Sequence, residues 1–394
     1  MNILVINNSY PSSYYPSAYC FVHEQCKLLQ KNGHAVVVMD VDLRSIKWKR
    51  KLGYYVDEFD GLKVYRLAVP LFTRAPMPIA VLNYLSALLG NFIFKKISAD
   101  GFSPDIIHAH FAVGSGAIAL ALKNKYSIPY AITEHSSLIH TQVPKIVKGS
   151  LKCYYNADIV IAVSKCLKRS IIQCGIEKDV CIIPNIIRAE RFYINKMLTK
   201  YNKFTFLTIG RLIPSKGIGR LLEAFGKMSQ KFSNIQLIIA GTGSEKKRLN
   251  SQAIKLGIAE KVIFSGMIPH SELVNLYNQC HCFVLPSEHE TFGMVYVEAL
   301  ACGLPVIATR CGGPEDFVNT CNGILIDDAN GDKLYTAMEQ IYLKINQGFY
   351  NSYKIREEII NKYNEQSIYN QLKKIYEEIL DKNEDLSICS WRQR

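Results

Sequence analysis

A chain of 394 residues, 48% of them apolar, can fill more than one core, and the usual domain size divides it into two or three. Its formal charge of +13 is uneven: residues 1–185 hold 21 Lys/Arg against 12 Asp/Glu, and the remainder 26 against 22. A basic half of this kind meets nucleic acid, an anionic membrane or phosphorylated ligands, and without zinc-finger spacing, RNP-type aromatics or a basic helix, nucleic acid is set aside.

Met1-Asn2 leads directly into the apolar run Ile3-Leu4-Val5-Ile6, with no basic stretch or small-residue cleavage site, so no signal peptide is expected. The twelve cysteines are scattered through strand and helix patterns, as in Cys166, Cys282 and Cys302, which fits reduced thiols and a cytoplasmic protein. Cys280-His281-Cys282 is no metal clip, because alternate strand residues point to opposite faces and no second pair stands nearby.

In chain order, Ile3–Asn7 is a buried-strand run followed by a Ser/Tyr/Pro loop, Ser9 to Ser17. A helical stretch then runs to Lys31 and stops at Asn32-Gly33, where glycine can take the left-handed cap. Val36–Val38, Leu62–Leu67, Asp105–His108, Tyr130–Thr133 and Ile159–Val163 continue as strands, and Ser164 caps the next helix. Between them Pro78–Phe94 is apolar but too short to span a bilayer, and is broken by Asn83, Ser86 and Asn91. With Arg74 before it and Lys95-Lys96 after it, this segment is either a membrane-surface helix or a buried helix with basic ends.

The alternation restarts at Phe204–Ile209. A helix over Gly217–Lys231, a strand at Ile235–Ala240, a helix over Ser244–Leu256, and strands at Val262–Phe264, Cys282–Leu285 and Pro305–Ala308 follow. Two such series predict an α/β protein of two Rossmann-like, doubly wound domains facing across a cleft, with ligands at the carboxyl ends of the strands. The expected bounds are 1–185, 186–365 and a C-terminal helix with its tail, 366–394, amphipathic over Glu365–Leu380 and crossing back to the first domain.

Two loops carry the chemistry. Gly210-Arg211-Leu212-Ile213-Pro214-Ser215-Lys216-Gly217 places two cations at a strand's carboxyl end and before a helix N-terminus. Arginine's planar fork and lysine's point charge together suit a diphosphate. The second loop, Pro286 to Ala299, sets Glu290 in the loop and Glu298 about a turn into a helix. That spacing lets the chain wrap a ligand, with carboxylates as hydroxyl acceptors and the amides near Phe292, Gly293, Met294 and Val295 turned toward an anion.

Arg211, Lys216, the Glu290/Glu298 pair within the run from Glu290 to Val306, and Gly312-Gly313-Pro314-Glu315 resemble the donor site of retaining glycosyltransferase family four. This family has the two-Rossmann, or GT-B, fold. The likeness extends into Asn322-Gly323-Ile324-Leu325, and Ile183-Pro184-Asn185 is similar to the family's interdomain segment. The resemblance implies that Arg211 and Lys216, with backbone at Gly210, neutralise the donor diphosphate. Glu298 holds the ribose, Glu290 the donor sugar, and the amides from Phe292 through Gly293, Met294 and Val295 contact sugar and phosphate. The Gly266-Met267-Ile268 stretch then lies along the base. In the first half, Thr133-Glu134-His135 is similar to the strand end whose histidine contacts the donor sugar, which gives His135 a catalytic role. His108-Ala109-His110 is read as cleft wall rather than a metal pair. No metal site and no cofactor is implied.

One departure stands out: Pro16-Ser17-Ala18-Tyr19-Cys20-Phe21 lacks the glycine pair found after the first strand in many members. Rival readings are a metal-dependent transferase with one Rossmann domain, for which Asp40-Val41-Asp42 would be the carboxylates; a sugar-nucleotide epimerase or phosphorylase of the same architecture; an NAD enzyme, of whose glycine turn Gly241-Thr242-Gly243 is only a fragment; and a non-catalytic sugar-nucleotide binding module. The expected activity is retaining, metal-independent transfer from a UDP- or GDP-sugar to a glycan or lipid-linked acceptor in surface polysaccharide or glycolipid assembly. The expected place is the cytoplasm, against the inner, anionic face of the membrane.

Overall fold

The computed structural model describes residues 1–15, 18–45, 49–71, 77–136, 143–176, 178–328 and 330–391. The chain divides into two compact units: residues 1–186 together with 365–394, and residues 187–364.

The first unit is built on an eight-stranded sheet. Its strands are β1 (Asn2–Asn7), β2 (Ala35–Asp42), β3 (Gly53–Phe59), β4 (Leu62–Ala68), β5 (Ile106–His110), β6 (Tyr130–Glu134), β7 (Ile159–Ala162) and β8 (Val180–Ile182), in the order β3-β4-β2-β1-β5-β6-β7-β8. All neighbours are parallel except β3 and β4. Those two form a hairpin over Asp60-Gly61, with Phe59 opposite Leu62 and both turn residues at positive φ (50° and 73°), the two-residue turn that Asp-Gly favours. β1 is buried almost throughout, as a central strand covered on both faces must be.

The covering helices are α1 (Cys20–Lys31), α2 (Ile79–Ala99), α3 (Ala117–Tyr126), α4 (Val143–Asn156) and α5 (Lys165–Gln173). Ser164 caps α5 by accepting from the Leu167 amide at 3.1 Å. The helix that closes the chain, α12 (Glu365–Trp391), belongs to this unit. Ile368, Leu372, Ile375, Tyr376 and Ile379 recur at helical spacing and join one core with Ile3, Val5, Val22 and Leu29.

The second unit has six strands: β9 (Phe204–Ile209), β10 (Ile235–Ala240), β11 (Val262–Gly266), β12 (Cys282–Leu285), β13 (Val306–Thr309) and β14 (Gly323–Ile326). All are parallel, in the order β11-β10-β9-β12-β13-β14. Counted within the unit this is 3-2-1-4-5-6, the Rossmann order. Its helices are α6 (Ile218–Lys231), α7 (Lys246–Lys255), α8 (Leu273–Gln279), α9 (Met294–Ala301), α10 (Gly331–Asn346) and α11 (Ser352–Tyr363). Phe206, Leu237, Ile239 and Val284 pack against Leu221, Leu222, Phe225, Leu334, Met338 and Ile341. The expected α/β architecture of two doubly wound sheets is therefore present. The sequence reading left out β3, β8 and β14 as strands.

Candidate functional site

In an open parallel sheet, ligands gather beyond the strand carboxyl ends where the strand order reverses. In the second unit that point lies between β9 and β12. The loops leaving these strands are the two singled out above.

They are interlocked. Gly217, at φ 66°, begins α6, and a Cβ there would lie 2.2 Å from the Pro286 carbonyl oxygen. Only glycine lets the β9 loop lie so close to the β12 loop. The Glu288 amide donates to the Ser215 carbonyl at 2.8 Å, completing the contact. Lys216 Nζ donates to Glu290 Oε1 at 2.6 Å, and Ser287 Oγ donates to the same oxygen at 2.8 Å. Lys216 and Glu290 are thus paired, with side chains only 18% and 12% exposed. Arg211 is exposed and has no ion-pair partner among the described residues.

The neighbouring loops hold this pair in place. A Cβ on Gly241 would fall 1.9 Å from the Gly210 carbonyl oxygen, so the Gly241-Thr242-Gly243 turn serves close loop packing, and Leu212 binds Thr242 through its backbone amide at 2.9 Å. Glu290 is held by its backbone: its amide donates to the Cys311 carbonyl at 2.9 Å, and its carbonyl accepts from Gly313 at 2.8 Å. Gly312-Gly313-Pro314-Glu315 is thereby the backing of the Glu290 loop. The Phe292 ring is buried against Phe317 and Tyr363, so this residue has only backbone to offer a ligand. Gly293, at φ 92°, starts α9, with Met294 and Val295 half-exposed in the first turn.

Glu298 sits one turn further along, 4% exposed. Tyr277 OH donates to its Oε2 at 2.9 Å, and His270 Nε2 stands 3.3 Å from Oε1. Arg191 Nη1 approaches His270 Nδ1 at 3.4 Å, which leaves Nε2 as the protonated nitrogen facing the carboxylate. A carboxylate has about four lone-pair positions, so two remain for a ligand. Ile268 is half-buried just beyond β11. His270 and Tyr277 escape the sequence reading, since each acts on Glu298 from another element, and Ser287 escapes it because a serine three residues before Glu290 in one loop carries no signal of its own.

The first unit reverses its order between β1 and β5. Here His108 and His110, from β5, meet His135, which follows β6. His110 Nδ1 and His135 Nε2 are 2.9 Å apart, and the rings stack in a column with centroids 4.5 Å (His108–His110) and 5.2 Å (His110–His135) apart. His108 is fixed by Tyr376 OH at 2.6 Å and Thr133 Oγ1 at 2.7 Å. Burial pushes His108 and His135 down to about 3 and His110 well below the ordinary histidine range. All three are neutral at physiological pH. Glu134 is also buried; it accepts from Tyr154 OH at 2.6 Å and from the backbone amides of Ala112, His135 and Ser136, while burial raises its pKa.

The glycine-poor loop after β1 solves its geometry with other residues. Ser9 and Tyr19 take positive φ (78° and 45°), and Tyr19 does so at the N-terminus of α1. Pro16 and Ser17 lie outside the described residues. The Asp40 and Asp42 carboxylates are taken up by arginines, Arg66 Nη1 at 2.7 Å and Arg44 Nη2 at 2.7 Å. Two arginine-neutralised carboxylates offer a cation little, which weighs against the single-domain metal reading.

Comparison with known proteins follows the same division. A family model described as group 1 glycosyl transferases matches residues 189–362, and one described as glycosyltransferase family 4 matches residues 21–191. An uncharacterized glycosyltransferase of Methanocaldococcus jannaschii is 27% identical over 379 residues, covering 88% of this chain and 90% of its own. The alpha-monoglucosyldiacylglycerol synthase of Streptococcus pneumoniae is 26% identical over 306 residues, 71% of this chain and 65% of its own. Among solved structures, Anabaena HepE, determined in complex with UDP and glucose, superposes with a TM-score of 0.72 at 19% identity, covering 95% of this chain and 98% of its own.

Proposed function

The chain belongs to the family 4, group 1 glycosyltransferases, and from that membership we propose that it moves a sugar, with retention, from a UDP- or GDP-sugar to a glycan or lipid-linked acceptor, without a metal ion. The observation that carries this reading is the pair of interlocked loops at the β9/β12 switch point, where Lys216 meets Glu290, with Arg211 on the same loop as Lys216 and Glu298 one turn into α9. Arg211 and Lys216 neutralise the diphosphate as it leaves. Lysine has three donors, so Lys216 can keep Glu290 while turning its others to phosphate, tying the sugar-binding carboxylate to the leaving group. Glu298, pre-set by Tyr277 and His270, accepts from the ribose, and Ile268 lies along the base. The first turn of α9 adds amides and positive dipole.

The second unit thus takes the donor and the first the acceptor. His135 acts as a neutral hydrogen-bonding group on the donor sugar, since burial denies it a charge. Retention follows from front-face attack, with the departing phosphate oxygen taking the acceptor's proton, and no side-chain nucleophile is needed. Support for a lipid-linked acceptor comes from the pneumococcal relative, whose name carries a glucosyl group on diacylglycerol. Support for a uridine nucleotide comes from HepE, solved with UDP. An acceptor of this kind is met at an anionic membrane surface.

The test is a panel of sugar nucleotides read by thermal stabilisation and by hydrolysis. A cognate donor at a hundred times its Kd stabilises by about 2.7 kcal/mol. If no nucleoside-diphosphate sugar shifts the melting temperature, the donor reading falls. Release of an isomerised sugar nucleotide in the absence of any acceptor would make the chain an epimerase instead.

A further inference from the structure

Helix α2 carries a feature that transfer chemistry does not use. Its inner residues are buried, among them Asn83, Ser86, Gly90, Ile93, Phe94 and Ile97. Outward it presents Val81, Tyr84, Leu88 and Phe92, exposed at 44%, 65%, 52% and 45%. At about 100° of rotation per residue these four fall within an arc of roughly 80°, and at 1.5 Å rise they run along about 16 Å of the helix. Scattered apolar residues on a surface are ordinary, but a continuous stripe of large ones marks a contact. Tyr54 from the hairpin extends it, with its ring 5.9 Å from that of Phe92.

The stripe ends in charge of one sign. Lys95 and Lys96 are exposed, and Lys96 Nζ stands 5.8 Å from the Phe92 ring. No Asp or Glu occurs between Ile79 and Ala99. The next acid, Asp100, is occupied by Lys63 at 3.0 Å and Tyr65 at 2.6 Å. A second copy meeting this face about a two-fold axis would bring lysines with no acid on the helix to answer them. An anionic lipid surface answers them directly, while the aromatic and aliphatic side chains enter the headgroup region without spanning it. No helix among the described residues is long and apolar enough to cross a membrane.

We propose that the outer face of α2, with Tyr54 beside it and Lys95-Lys96 at its end, is the surface by which the protein docks on anionic lipid. The proposal rests on the lipid-linked acceptor reading above, and it names the residues that meet the bilayer.

The full chain is cosedimented with phosphatidylglycerol/phosphatidylcholine vesicles and with phosphatidylcholine vesicles, at low and moderate salt, while melting temperature and nucleotide-sugar stabilisation are followed in parallel. The expected result is binding to anionic vesicles that weakens with salt, as screening requires, and weaker binding to neutral ones. Leu88→Ser with Phe92→Ser should lower it at least tenfold, the equivalent of about 1.4 kcal/mol, and Lys95→Glu with Lys96→Glu should do the same. Ile254→Ser, at an exposed apolar position of α7, should change nothing. All variants should keep the donor-induced shift, so failure of docking is told apart from failure of the donor reading. Absence of vesicle binding at both salts would overturn the proposal. So would self-association of the unmodified chain, seen by sedimentation velocity, that Leu88→Ser with Phe92→Ser abolishes.

Discussion

The two sheets reverse their strand order in the same way and place opposite chemistries at the reversal. In the second unit the switch point is ionic, with Lys216 on Glu290, Arg211 open to solvent, and Glu298 below the surface. In the first it is neutral: three stacked imidazoles held uncharged by burial. Topology fixes where ligands gather, and the side chains there decide what is gathered. Charge suits a diphosphate, whereas uncharged donors and acceptors suit hydroxyls, which a buried cation would not distinguish from water.

The largest expected effect breaks the ionic half. Lys216→Ala should cost about 2–4 kcal/mol of transition-state stabilisation, the range for one preorganised charge-stabilising group, or roughly 30- to 1000-fold in kcat/KM. The melting temperature should hardly move, because the lysine's partner Glu290 keeps Ser287 and its backbone bonds. A folded Lys216→Ala protein with near-normal turnover would remove the pair from catalysis.

The neutral half is tested by acid. Unfolded histidines take up protons near pH 6.5, whereas burial holds His108 and His135 neutral down to about 3 and pushes His110 well below its ordinary range. Between those limits the unfolded chain binds more protons, so stability is intact above pH 6.5 and is lost as pH falls toward 3. Each histidine contributes up to about 1.4 kcal/mol per pH unit. Denaturant melts at pH 7, 6, 5 and 4 check this, and a His110→Phe protein should show a shallower slope. A slope unchanged by that substitution would mean that the column takes protons without unfolding. The smallest effect is no effect: with protein cations in place of a divalent ion, turnover should survive excess chelator. Loss on chelation and recovery with Mn²⁺ or Mg²⁺ would bring back the metal reading.

Much of this was legible in the sequence. β1, β9 and β12 are short apolar runs bounded by loops, which is how a buried parallel strand reads. The hairpin strand β3 was passed over because Tyr54, Val56 and Glu58 are all exposed and no apolar alternation shows, although Asp60-Gly61 announces the turn. What could not be read is pairing at a distance. Lys216 and Glu290 are 74 positions apart, and His108 and Tyr376 are 268 apart; only the strand order and the return of α12 bring them together. The roles of Gly217, Gly241 and Gly313 were equally hidden, since each is required by a carbonyl oxygen supplied from another loop.

The return of α12 also bears on how the molecule is made. The second unit is one uninterrupted stretch, and the chain enters and leaves it side by side, the Ile187 amide donating to the Tyr363 carbonyl at 3.1 Å. The first unit lacks Ile368, Leu372, Ile375, Tyr376 and Ile379 until the last part of the chain arrives. Domains ordinarily fold from the N-terminus as they leave the ribosome. Here that order can be inverted: the half synthesised later can finish first, while the half synthesised first waits with only α1 over the part of its core that α12 completes.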